Sequence, residues 1–84
     1  MGNTVGIGNF LEKLSRGDSD ANLHFEDLCH FLQTKGFRMR VSGNHHIFTR
    51  TGVRERINIQ RDGQHAKPYQ IREIRRILAR HELL

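Results

Sequence analysis

The sequence predicts a small α+β domain of two layers: a three-stranded antiparallel sheet covered on one face by two helices, with a short extra helix at the N-terminus. Three observations carry that expectation. Phe25, Leu28, Cys29 and Leu32 keep the i, i+3, i+4, i+7 spacing of one helical face. From Phe37 to Gln60 the period changes to two, and Gly43-Asn44 and Thr51-Gly52 divide the stretch into three short strands. After Pro68 the helical period returns through Ile71, Ile74, Ile77 and Leu78. A chain of 84 residues has room for one such core.

Taken in order, Met1 to Asn9 is glycine-rich and lacks apolar periodicity, so it reads as a loose arm. Phe10, Leu11 and Leu14 give a short peripheral helix, which Arg16-Gly17-Asp18-Ser19-Asp20 ends with turn-forming residues. The organisation expected is therefore an arm and short leading helix over residues 1–22 and a folded domain over residues 23–84. Asn22 suits the N-cap of the next helix, Glu26 and Asp27 suit its first-turn dipole, and Gly36 suits its left-handed exit. Phe37-Arg38-Met39-Arg40-Val41 alternates apolar and basic as a half-buried strand does, placing both arginines on one face. His45 to Arg50 returns as the second strand and Arg56 to Gln60 forms the third. Arg61 to Lys67 is a polar connection turning at Asp62-Gly63, and Pro68 opens the final helix.

Alternation on the second strand sends His45, Ile47 and Thr49 to one face and His46, Phe48 and Arg50 to the other. If the bulky Phe48 packs under the helices, His46 is half-buried beside it and His45 stands on the open face. The two imidazoles then point apart, so they form no chelating pair. The remaining histidines are scattered along the chain, and no metal or other cofactor is expected. Cys29 lies in an apolar stripe, where a cysteine behaves as a small hydrophobe.

Charge narrows the function classes. The formal net charge is +5, and every lysine and arginine except Lys13 and Arg16 lies from Lys35 onward. Such a basic half suits a polyanion, because cations that neutralise phosphates release condensed counterions. A lone cysteine and the absence of a long apolar run point to a cytoplasmic chain with no membrane partner. Paired carboxylates, a phosphate-binding glycine loop and a serine elbow are all missing. Catalysis would therefore rest on histidine, whose ordinary pKa of about 6.5 allows proton transfer near neutrality.

From Phe25 to Leu84 the sequence resembles the HicA-type (YcfA-like) toxins, small messenger-RNA interferases with a double-stranded-RNA-binding-like fold. Leu28, Leu32 and Lys35-Gly36-Phe37 resemble that family's first helix and its exit. Gly43-Asn44-His45-His46-Ile47-Phe48 resembles its glycine, small polar residue, histidine motif, and Lys67-Pro68 with Ile71-Arg72 and Ile77-Leu78 resembles its closing helix. The resemblance implies a toxin that cleaves mRNA and arrests translation, held in check by a HicB-type antitoxin protein. It places the catalytic histidine at His45, acting as general base toward a ribose 2′-OH. RNA-binding roles fall to Arg38, Arg40, Gly43, Asn44 and Lys67. Asn44 stands where serine or threonine is usual, Gln60-Arg61 replaces a proline and histidine, and Tyr69-Gln70 replaces a glycine and threonine. Those departures mark a divergent subgroup. Two rival functions are an RNA-binding module of the same fold without catalysis, and a protein-docking helix built on Arg72, Arg75, Arg76 and Arg80.

Overall fold

The computed structural model describes residues 5–17 and 23–84, with no side-chain detail for residues 5–9 and 13. Its elements are α1 (Val5–Arg16), α2 (Phe25–Thr34), β1 (Arg38–Ser42), β2 (His45–Arg50), β3 (Val53–Ile59), β4 (Arg61–Asp62), β5 (His65–Ala66) and α3 (Pro68–Arg80). The antiparallel sheet has the order β1-β2-β3, so β2 is central and both neighbours are edges. Phe48 of β2 opposes Ile57 of β3, and His46 opposes Ile59. Phe48, Ile57 and Ile59 are buried under Phe25, Leu28, Leu32, Ile71, Ile74 and Leu78 of the two helices. The opposite face, carrying Arg38, Arg40, His45, Thr49, Arg54, Arg56 and Asn58, is exposed.

Local chemistry sets the element ends. Gly36 leaves α2 with φ +92°, and Arg50 of β2 donates its Nε–H to the Lys35 carbonyl at 2.8 Å. A cation bonded to the last carbonyls of a helix offsets their unpaired partial charge. Pro68 occupies the first turn of α3, where its missing N–H costs nothing. At the far end of α3, Glu55 of β3 accepts from His81 Nε2 at 2.7 Å and from Arg80, tying the helix C-terminus to the sheet. The His81 hydrogen bond is the main cause that lowers the Glu55 carboxyl to about 2, with Arg80 adding to it.

Three expectations are corrected. The leading helix begins at Val5, inside the segment read as a loose arm, and it is no peripheral element: Leu14 is fully buried and Phe10 packs on Phe31 with ring centroids 5.1 Å apart. Arg75 of α3 donates to the Leu14 carbonyl at 2.6 Å, so α1 is held at its C-terminal end by both packing and a hydrogen bond. The arm residues 1–4 and the turn residues 18–22 lie outside the described residues. Asn22, expected as the N-cap of α2, is also among them; the residue at the N-cap is His24, with extended φ −73° and ψ 140°. The polar connection contains a second, two-stranded sheet, β4-β5. It forms because the chain entering α2 is extended and pairs with it: Ala66 N–H bonds the Leu23 carbonyl at 3.2 Å and Phe25 N–H bonds the Gln64 carbonyl at 2.9 Å. Two residues per strand are too few to show a period, and only Ala66 of this hairpin is buried.

Candidate functional site

The Gly43-Asn44 turn organises the site. Ser42 opposes His45, so Gly43 and Asn44 form a two-residue hairpin loop. Gly43 has φ +60° while Asn44 stays at negative φ, the pattern of a type II′ turn with glycine first. A Cβ at Gly43 would meet nothing within 4 Å, so the glycine is required by backbone conformation alone. The turn delivers His45 to the first position of β2, on the open face, and His46 to the helix-covered face.

His45 is oriented by Asn58 of β3. His45 Nδ1 lies 3.1 Å from Asn58 Oδ1, across the diagonal between neighbouring strands. With the Asn58 amide oxygen as acceptor, Nδ1 carries the proton, so in the neutral imidazole the lone pair is on Nε2. An imidazole held in that tautomer presents a basic nitrogen to solvent. Around it the open face carries Arg38 and Arg40 on β1 and Arg54 and Arg56 on β3. Arg40 is a diagonal neighbour of His45, since His45 opposes Ser42 and Ile47 opposes Arg40. These four arginines have no carboxylate partner among the described residues, and alternation puts no acidic side chain on their face.

The expected site residues separate into two groups. Arg38, Arg40 and His45 share the open face. Gly43, Asn44 and Lys67 line a cleft of about 370 Å³ at the turn end of the sheet, together with His46, Gln60 and Arg61. Lys67 therefore joins His46, on the other side of the turn from the face of His45. His46 packs edge-on against Phe25 with centroids 4.7 Å apart, and its Nδ1 is buried without a protein partner. His46 is thus half-buried on the same face as Phe48, as alternation along β2 predicts. Arg61 of the cleft pairs with Glu26 at 3.2 Å and lies over the Phe25 ring.

Arg54, Arg56 and Asn58 were not among the expected site residues. The alternation of Val53-Arg54-Glu55-Arg56-Ile57-Asn58-Ile59 puts all three on the open face once Ile57 and Ile59 are recognised as core. The arginine stripe on α3, by contrast, is partly consumed within the fold. Arg75 binds the Leu14 carbonyl, Arg76 pairs with Glu73, and Arg80 pairs with Glu55. Helical spacing reveals the Glu73 pairing within α3 but not the partners of Arg75 and Arg80, which come from α1 and β3.

Cys29 is buried in the α2 stripe, and desolvation pushes its thiol up to about 11. It supplies no nucleophile at neutral pH. No group of three or more histidine, cysteine or acidic side chains is placed to hold a metal ion among the described residues. Among those residues, too, no helix is long and apolar enough to cross a membrane. Comparisons with protein-family models, curated proteins and solved structures find no match for this chain.

Proposed function

We propose that this chain is a ribonuclease toxin of the HicA type, which binds and cleaves mRNA, inhibits translation and is neutralised by a HicB-type antitoxin. The observation that carries this reading is the placement of His45: exposed on a carboxylate-free sheet face, with Nδ1 bound to Asn58 and arginines on both flanking strands. In the proposed reaction Nε2 of His45 takes the proton of a ribose 2′-OH. The 2′ oxygen then bonds the adjacent phosphorus, the bond from phosphorus to the 5′ oxygen breaks, and the leaving oxygen takes a proton from water. The products are a 2′,3′-cyclic phosphate and a 5′-hydroxyl end. Arginine side chains on the open face balance the charge that grows on the phosphoryl oxygens, while Lys67 and Arg61 in the neighbouring cleft suit a flanking phosphate.

No step in this scheme uses a metal ion, which sets the experiment. RNA incubated with the purified chain in EDTA should yield fragments ending in 2′,3′-cyclic phosphate. Binding of RNA with no strand scission would leave the rival reading, a non-catalytic RNA-binding module. Absence of both binding and scission would refute the two together.

A further inference from the structure

The outer edge of β1 has no strand beside it among the described residues. Gln70 reveals which backbone groups that edge presents. Its side-chain oxygen accepts from the Gln60 N–H at 3.2 Å and its amide donates to the Asn58 carbonyl at 3.5 Å, so residues 58 and 60 turn their backbone away from β2. Ile57 and Ile59 therefore exchange bonds with Phe48 and His46, and the alternation carries across the register to β1. Arg38, Arg40 and Ser42 face β2, leaving the N–H and C=O groups of Met39 and Val41 on the free edge. The two-residue Gly43-Asn44 turn demands the same arrangement, because Ser42 and His45 flank it as a hydrogen-bonded pair.

The side chains along this edge are equally unpartnered among the described residues. Met39 and Val41 belong to the helix-covered face, yet they are 39% and 53% exposed. On the other face, Arg38 and Arg40 have no carboxylate partner among the described residues. A strand laid along β1 thus meets apolar side chains on one face and cations on the other. A second copy of β1 does not suit it, since two-fold antiparallel pairing through Met39 and Val41 sets arginine opposite arginine. The complementary sequence alternates acidic and apolar residues.

We infer that β1 is a docking edge for an extended partner-protein segment of alternating acidic and apolar residues, which adds as a fourth antiparallel strand. Its carboxylates lie beside Arg38 and Arg40, its apolar side chains cover Met39 and Val41, and its backbone completes the edge. The strand addition stands without any reaction at His45. Its consequence, neutralisation of two of the arginines proposed to hold RNA, rests on the proposed function and makes partner and RNA compete.

The test uses the 15N-labelled full chain and a capped peptide in which glutamate alternates with valine. Amide shifts and slowed hydrogen exchange are expected at Met39 and Val41. In the antiparallel strand the valines lie opposite these residues, so methylating valine amide nitrogens removes the inter-strand donors, whereas methylating glutamate amides does not. With two such bonds lost, affinity should fall at least about tenfold for the first peptide and stay near the parent value for the second. Val41→Pro, which removes an outward N–H without touching the bonds to β2, should weaken the parent peptide similarly. Equal binding of both methylated peptides, undiminished binding when glutamine replaces glutamate, or shifts mapping away from β1 would overturn the inference. A chain that binds the peptide as described but cleaves no RNA would fail the proposed function and leave the docking edge intact.

Discussion

Removing Arg54 and Arg56 together should change the salt dependence of RNA binding by a calculable amount. The open face presents Arg38, Arg40, Arg54 and Arg56 to solvent without carboxylate partners among the described residues. For single-stranded RNA the slope of log K against log salt is roughly −0.7 per phosphate neutralised, so engaging all four gives about −2.8. Between 50 and 200 mM KCl that slope corresponds to a loss of affinity of roughly fifty-fold. Arg54→Ala with Arg56→Ala should make the slope shallower by about 1.4, which removes a factor of about seven from the loss of affinity over the same range. Fluorescence anisotropy of a labelled RNA oligonucleotide, titrated at several KCl concentrations, measures the slope directly. The control is Arg76→Ala, on the helix surface away from the open face, which should leave the slope unchanged. If the double variant keeps the wild-type slope while the control lowers it, RNA does not lie on the open face.

Asn58→Ala should leave RNA binding unchanged and slow cleavage by about threefold to tenfold, the worth of one exposed hydrogen bond; Asn58→Asp should instead move the acid limb of the pH–rate profile to higher pH, which a purely structural role would not do. Leu14→Ala should cost about 3 kcal/mol in urea unfolding, because Leu14 is fully buried; a change below about 0.5 kcal/mol would mean that α1 is a surface appendage. Because the Glu55 carboxyl is lowered to about 2 in the folded chain, it adds stability above the ordinary carboxylate value, and that contribution disappears as pH falls toward 2. Wild type should therefore lose stability between about pH 4.5 and 2 more steeply than Glu55→Gln, as read from acid unfolding curves, and parallel curves would contradict this. Cys29, with its thiol raised to about 11, should resist a disulfide reagent at pH 8 until denaturant opens the core, whereas reaction at the rate of a free thiol would show that α2 is not packed.

The parts of the fold legible in the sequence are those whose burial imposes a period. Phe25 to Leu32 and Ile71 to Leu78 each cover a stripe, and β2 and β3 each bury one face, so pattern translates directly into structure. Phe48 was enough to assign the faces of β2, because the larger apolar side chain took the covered side and left Ile47 half-exposed. Residues Phe10 and Leu14 supply only one turn of pattern among glycines, and their burial depends on Phe31 and Arg75, which lie far along the chain. The β4-β5 hairpin was illegible for a related reason, since its stability comes from backbone bonds to residues 23–25. The same limit applies to the site. His45 and its open face follow from alternation, but the Asn58 partnership depends on the β2-β3 register, and the grouping of Lys67 with His46 depends on where α3 begins relative to the Gly43-Asn44 turn.

Single-turnover cleavage by His45→Ala, at RNA concentrations that saturate both chains and with binding measured alongside, tests the role of His45 most directly. General-base loss should slow the reaction by about 10²–10⁴-fold while leaving RNA affinity nearly unchanged, and His46→Ala should retain most activity if it remains folded. Cleavage by His45→Ala at the wild-type rate would contradict the assignment, whatever the arginines around it bind.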